Sequence, residues 1–268
     1  MVHAKTRLGV VGWPVAHSRS PAIQNAALEA VGLTDWRYQL LPIPPELFAE
    51  TVLALPGTGF RGVNVTIPHK RAALALATDP TPRAAAIGAA NTLIFEPDGR
   101  IAADNTDAPA LIEALPFAAA GRSALVLGAG GSARAVVWAL VDAGAREIRI
   151  WNRTPERARA LAGELGGVAV ERAAPADLLV HCTASGLDPG EDAFRPLPIT
   201  ADDVTSYECV VDLVYRDAET PLVQAARARG VRFIGGRELL VRQGALSFEL
   251  FTGRRAPIEV MRRGVEVR

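Results

Sequence analysis

The segment ALVLGAGGSARAVVWAL, residues 124–140, limits what this chain can fold into more than any other. Its first four residues are apolar and predict a buried strand, which runs straight into Gly128, Ala129, Gly130 and Gly131. Ala133, Val136, Val137, Leu140 and Val141 then recur at helical spacing, so a helix with one apolar stripe follows the turn at once. In this GxGxxA order Gly128 permits the tight turn, Gly130 lets the backbone approach a pyrophosphate, and Ala133 lets the helix lie close on its strand. The helix start, which includes Ser132, would face the phosphates with the positive end of its dipole. A glycine-rich turn alone is a weak signal, but here the next strand, EIRIW, completes the order that a dinucleotide unit needs.

EIRIW leads into Asn152, Arg153 and Thr154. An acidic residue there would bond the ribose 2′-hydroxyl of NAD, whereas an arginine accommodates a 2′-phosphate, so the expected cofactor is NADP(H). The plain alternative is that Arg153 is a solvated residue beside the start of the helix at 155–165.

Further out the chain alternates strands and helices. LGVV at 8–11, a helix over 21–31, WRYQLL, a helix near 46–54 and GVNVT make a first βα series. NTLIFEPDGRIAADN carries Pro97, Asp98 and Gly99 between two strand-like runs and predicts a hairpin. A helix over 108–115 and a linker-like PFAAAGRS precede the second series: ALVLG, a helix at 132–143, EIRIW, the helix at 155–165, DLLVHC, CVVDLV, a helix at 220–229 and VRFIG. The last 30 residues read as helical. This is an α/β chain of two α/β domains, the first with a mainly parallel sheet. LPGTG, DPTP and GLDPGEDAFRPLP read as turns and loops.

Composition excludes several function classes. Among 268 residues 29 are basic and 29 acidic, and that balance argues against a nucleic-acid or anionic-membrane binder. The apolar-looking stretch 124–145 holds Arg134 and Asp142 and cannot span a bilayer. Cys182 and Cys209 have no CxxC or Cys/His spacing, which fits a reducing, cytoplasmic setting without structural zinc. His3, His17, His69 and His181 form no metal or hydrolase pattern that sequence can support.

In GVNVT the period of two puts Val63 and Val65 on one face and Asn64 and Thr66 on the other. Pro68 suits the first turn of a helix, which would place Lys70 near its N-terminus, where dipole and burial both disfavour an added positive charge. A solvated lysine is the bland alternative. Asp107 reads as a helix N-cap or an acid/base group, and Ser18 and Ser20 as a helix start or a carboxylate site. Gln243 lies among Leu239, Leu240 and Leu246 on an apolar helix face, where a polar group needs a partner.

GWPVAHSRSP (12–21), NVTIPHK (64–70), GAANT (88–92), NTD (105–107), GAGGSARA (128–135), NRT (152–154), DLVYRDAETPL (212–222) and GGRELLVRQGALSFELFTG (235–253) occur together and in order. This set resembles the shikimate dehydrogenase family across essentially the whole chain. The resemblance implies a substrate domain, 1–106, completed by helices at 237–268, an NADP-binding Rossmann domain at 107–236, and a cleft where they meet. It implies reversible NADPH-dependent reduction of 3-dehydroshikimate to shikimate, with a small molecule as the partner and monomer or homodimer both open. By position it implies Ser18, Ser20, Thr66 and Tyr215 on the substrate carboxylate, Asn64, Asn91 and Gln243 on ring oxygens, and Lys70 with Asp107 as the catalytic pair. For the cofactor it adds Thr183, Leu213 and Gly236 to the glycine turn and to Asn152–Thr154. His181 stands where the family pattern has asparagine, Leu187 and Leu239 where it has methionine, Asp217 where it has proline, and Phe251 where it has tryptophan. A quinate or aminoshikimate dehydrogenase, possibly NAD-using, and a silent metabolite sensor are the competing expectations; Arg153, both serines and the retained Lys70 and Asp107 speak against them.

Overall fold

The computed structural model describes residues 5–266, which leaves His3 outside the described chain. These residues divide into two compact units, one running up to Thr106 and resuming at Leu240, the other Asp107–Leu239.

The first unit opens with β1 (Thr6–Gly12), α1 (Ser20–Ala30), β2 (Trp36–Pro42), α2 (Phe48–Ala54), β3 (Phe60–Val65), α3 (Lys70–Leu76), β4 (Asp79–Pro80), α4 (Pro82–Ile87), β5 (Thr92–Phe95) and β6 (Ile101–Asp104). Its six strands lie in the order β2-β1-β3-β5-β6-β4. β1 pairs in parallel with β2 and β3, and β4 with β6, while β5 is antiparallel to both neighbours because the Pro97–Gly99 turn folds β6 back on it. The alternation in GVNVT sorts the side chains as its period requires. Val63 and Val65 enter a core with Val11, Phe48, Val52, Leu93 and Phe95, and Asn64 points to the other face.

Two local expectations are corrected here. Pro68 is not in a helical first turn: residues 66–69 form a turn closed by the His69 N–H on the Thr66 carbonyl, and α3 begins only at Lys70. DPTP is more than a turn, because the Thr81 hydroxyl accepts the Ala84 N–H and caps α4 over Pro82.

The second unit contains α5 (Asp107–Ala114), β7 (Ser123–Leu127), α6 (Gly131–Asp142), β8 (Glu147–Trp151), α7 (Pro155–Leu165), β9 (Val168–Ala169), β10 (Ala176–His181), β11 (Tyr207–Asp212), α8 (Pro221–Ala228) and β12 (Arg232–Ile234). Every pairing in its sheet is parallel, in the order β12-β11-β10-β7-β8-β9. The order reverses at β7, with its sequence neighbour β8 on one side and β10 on the other, which is the switch-point arrangement of a Rossmann sheet. PFAAAGRS is not a free linker. It is folded into this unit, with Arg122 over the Phe117 ring and the Gly121 N–H on the Gly144 carbonyl. Val141 also departs from the expected stripe of α6 and is 43% exposed, because at the eighth residue after Ala133 the helical period has drifted off the sheet-facing side.

α9 (Gly236–Thr252) begins in the second unit and ends in the first, where α10 (Ile258–Glu266) packs on α1. Gly264 lets them approach, since a Cβ there would sit 3.3 Å from the Ala22 carbonyl and the Ile23 Cα. Among the described residues no helix is long and apolar enough to cross a membrane.

α9 also presses Phe251 onto the sheet at Gly62, where a Cβ would lie 2.6 Å from the Leu93 carbonyl and 2.7 Å from the phenyl ring. Gly62→Ala should therefore destabilise the first unit by about 1–3 kcal/mol, the usual cost of overpacking a filled core. Denaturant midpoints would show it, and an unchanged midpoint would mean that the ring and the β5 backbone both give way freely.

Candidate functional site

Parallel pairing delivers the C-terminal ends of β7, β10 and β11 to one edge of the second sheet, and the expected cofactor residues gather there. Gly128 has φ +118°, a conformation that side chains rarely adopt, and a Cβ on it would meet the Cys182 backbone at 3.2 Å and the Thr183 methyl at 3.3 Å. The glycine turn after β7 is thus pressed against the loop after β10. Leu213 follows β11, and Gly236 sits beneath it, with no room for a Cβ against the Val214 and Leu213 carbonyls.

Above Gly130 there is open space, for a Cβ there would meet no heavy atom within 4 Å. The N-terminus of α6 carries no side-chain cap and no acidic residue in its first turn, so the positive end of its dipole is not offset there. Nearby on the chain the Asn152 amide donates to the Thr154 carbonyl and shapes the turn after β8. Arg153 is exposed and has no ion pair or hydrogen bond among the described residues. An uncapped helix start, open space over Gly130 and an uncommitted guanidinium fit the pyrophosphate and 2′-phosphate of NADP.

In the first unit the polar face of the sheet meets α9. The Asn64 amide donates to the Ser247 hydroxyl at 2.8 Å and reaches Thr92 Oγ1 at 3.1 Å, while its oxygen accepts the Tyr38 hydroxyl at 2.8 Å. Asn91 donates to Thr106 Oγ1 at 2.9 Å and accepts the Thr106 N–H at 2.8 Å. Gln243 has the partners that its apolar surroundings require, accepting from the Asn91 amide at 3.4 Å and donating to the Leu240 carbonyl at 2.8 Å. Asn64, Asn91, Thr92, Thr106 and Ser247 are all buried, so this network fixes the side chains it contains. Tyr38, Thr92, Thr106 and Ser247 escaped the sequence reading, because their partners are distant in the chain.

Ser18 and Ser20 lie at the start of α1, whose first residue is Ser20 rather than Pro21. The Ser18 oxygen accepts the Ser20 N–H at 3.3 Å and stands 3.2 Å from the Ser20 hydroxyl, so the two hydroxyls form one polar point. Thr66 follows β3 half-buried, and its hydroxyl makes no hydrogen bond among the described residues. Lys70 is the first residue of α3 and only 8% exposed. His69, just before it, stacks on Phe48 with ring centroids 4.4 Å apart and donates Nε2–H to the Ile43 carbonyl at 2.7 Å. Burial holds the His69 imidazole below its ordinary range despite that bond, so it stays neutral beside the lysine. Lys70 thus belongs to the first unit, whereas Asp107, the first residue of α5, and the half-buried Tyr215 after β11 belong to the second.

The departures from the family pattern have definite places. His181 ends β10 fully buried, Leu187 and Asp217 lie on loops, Leu239 is buried in α9, and Phe251 fills the space over Gly62. Neither cysteine is bridged, and burial pushes the Cys209 thiol up to about 11, which makes it inert.

Three family models match the chain. One described as the shikimate dehydrogenase substrate binding domain covers residues 10–93, one described as shikimate / quinate 5-dehydrogenase covers 113–186, and one described as the shikimate 5′-dehydrogenase C-terminal domain covers 236–266. The chain is 45% identical to a shikimate dehydrogenase (NADP(+)) of Methylobacterium radiotolerans, over 94% of this chain and 93% of that protein. To one of Anaeromyxobacter sp. strain K it is 44% identical over 100% and 99%. Among solved structures it is similar to shikimate 5-dehydrogenase from Thermus thermophilus in complex with NADP(H) and shikimate, at 42% identity and a TM-score of 0.84 over 97% and 98% of the two chains. It is also similar to shikimate dehydrogenase from Aquifex aeolicus, at 33% identity and a TM-score of 0.86 over 100% of both.

The buried His69 makes stability depend on pH. Its folded pKa lies below the unfolded value of 6.5, so as pH falls the unfolded chain takes up a proton that the folded chain refuses. Stability present above about pH 6.5 is therefore lost progressively below it. His69→Phe keeps the ring stack and removes the titration, so its Tm, though lower overall, should fall less between about pH 7.5 and 5.5 than that of the parent. Equal losses in calorimetric scans of the two proteins would remove His69 as a source of acid sensitivity.

Proposed function

Because the chain belongs to the shikimate dehydrogenase family, we propose that it catalyses the reversible reduction of 3-dehydroshikimate to shikimate with NADPH, and that the residues gathered in each unit carry that reaction. The observation that carries the residue assignment is Lys70, a lysine buried at the start of α3, where a lysine is rarely kept without a chemical task.

The bound NADPH supplies the hydride. The chain must then hold the substrate, deliver one proton to the carbonyl oxygen and keep its own groups in register. Ser18 and Ser20, as paired hydroxyls at the start of α1, donate to the substrate carboxylate, with Thr66 and Tyr215 completing its ligation. Gln243 offers its remaining capacity to ring hydroxyls, whereas Asn91 has protein partners for both amide hydrogens and for its oxygen, so a ring contact there exchanges one of them. Asn64 has protein partners for both amide hydrogens, and its oxygen accepts one bond, from Tyr38, so a ring hydroxyl is received at the second lone pair of that oxygen. Lys70 donates its ammonium proton to the oxygen as the carbonyl carbon becomes tetrahedral and takes that proton back in the oxidising direction. Asp107 is the second member of the catalytic pair. In the second unit the α6 N-terminus with Gly128, Ala129, Gly130, Gly131 and Ser132 holds the pyrophosphate, and Asn152, Arg153 and Thr154 hold the 2′-phosphate. Thr183, Leu213 and Gly236 border the nicotinamide end.

Mixing the purified protein with shikimate or quinate, each with NADP+ or NAD+, and following reduced-nicotinamide absorbance tests the reading. The largest kcat/KM is expected for shikimate with NADP+. A preference for quinate or NAD+ would overturn the specificity and leave the chemistry standing, and no turnover in any combination would overturn the function. Lys70→Ala should lower kcat by about two to four orders of magnitude with an unchanged Tm, the scale of a lost general acid/base. Near-parental turnover in that variant would remove Lys70 from the chemistry.

A further inference from the structure

At the cofactor edge of the second sheet a hydroxyl, an imidazole and a carboxylate stand in line. Thr183 Oγ1 is 2.5 Å from His181 Nε2, and His181 Nδ1 is 2.9 Å from Asp212 Oδ1. His181 and Asp212 are each 1% exposed. The carboxylate is itself tied down: Oδ1 accepts the Val214 N–H, and Oδ2 accepts the hydroxyl of Thr220, which in turn caps α8 by accepting the Val223 N–H. A carboxylate so surrounded by donors is an acceptor, so it takes the Nδ1 proton of His181. In the neutral form of that ring Nε2 carries only a lone pair, and the Thr183 hydroxyl donates to it. Thr183 Oγ1 also accepts the Ser185 N–H at 3.1 Å. With its proton committed inward and one lone pair used, the hydroxyl can only accept from whatever lies outside.

We propose that His181 is a positioning residue that, with its tautomer set by Asp212, turns Thr183 into a fixed hydrogen-bond acceptor at the cofactor site. Thr183 is in the right place for this, because its methyl group lies where a Cβ on Gly128 would touch it, beside the glycine turn. The inward bond also ties the loop after β10 to the end of β11, and the next residue, Leu213, donates its N–H to the His181 carbonyl. The expected contact is a donor of the cofactor, an amide N–H or a sugar hydroxyl. The inference rests on the NADP reading given above and assigns the polarity of one contact within it.

The first experiment is nitrogen-15 NMR of the imidazoles of the full chain near neutral pH, with the His181 signal identified by its loss in His181→Asn. A protonated Nδ1 and a bare Nε2 are expected, and a protonated Nε2 would overturn the proposal without any ligand. The second is calorimetric titration of NADP+ into the parent, His181→Asn, Thr183→Val and the double variant. Asparagine can keep a donor toward Asp212 but has no atom at the Nε2 position. Each single variant should weaken NADP+ about three- to tenfold, the span of one hydrogen bond, with shikimate affinity unchanged. The double variant should be no weaker than the worse single one, since both remove the same device. Undiminished NADP+ affinity in His181→Asn, or losses that multiply in the double variant, would overturn it. A parent protein that binds no NADP+ would instead overturn the NADP reading together with this contact, whatever tautomer NMR reports.

Discussion

Parallel pairing of β7 with β8 and β10 is the constraint on which the second unit depends. Antiparallel neighbours would send alternate strand ends to opposite edges, whereas parallel ones bring every C-terminal end to the same edge. Gly128, Asn152, Thr183 and Leu213 are separated by up to 85 residues of chain and still follow strands that finish side by side. Helical crossovers follow β7, β8 and β11, so at those strand ends a loop leads to a helix start. One of those starts, at α6, is left without a cap, and the open space over Gly130 lies in front of it. The same pairing sets the end of β10 beside the end of β11, which is how His181 reaches Asp212.

In the first unit the controlling cost is that of burying polar groups. Asn64, Asn91, Thr92, Thr106 and Ser247 lie between the sheet and α9, where a lone polar atom would cost roughly 1–3 kcal/mol. They are kept there by bonding one another, and the arrangement that satisfies them also removes their rotational freedom. Binding groups rigid before the ligand arrives spend less entropy on it. His69 follows the same logic: it is buried, neutral, stacked and bonded, and it fixes the backbone from which Lys70 extends.

What could be read from the sequence was local. The glycine turn, the period of two in GVNVT and the Pro97–Gly99 hairpin each write their conformation into a few adjacent residues, and each is present. The errors are also local and have local causes. Pro68 stands two residues before α3 rather than inside it, α4 was hidden because Thr81–Pro82 is both a turn signal and a capped helix start, and Val141 drifted off its stripe. The partners of Asn64 could not be read in this way, because Tyr38 is 26 residues away and Ser247 is 183 away. Nothing in the neighbourhood of His181 announces Asp212, 31 residues on. The ordered motifs of the family named candidate site residues that periodicity could not, while the residues bonded to them needed the fold.

The central claim is a division of labour, in which the first unit recognises the substrate through its serine pair and the second recognises NADP through α6 and Arg153. Binding calorimetry of shikimate and of NADP+, each alone, to Ser20→Ala and Arg153→Ala tests it most directly. The account predicts that Ser20→Ala weakens shikimate and leaves NADP+ unchanged, and that Arg153→Ala does the reverse. Loss of both ligands in either variant, or of the wrong one, would contradict it.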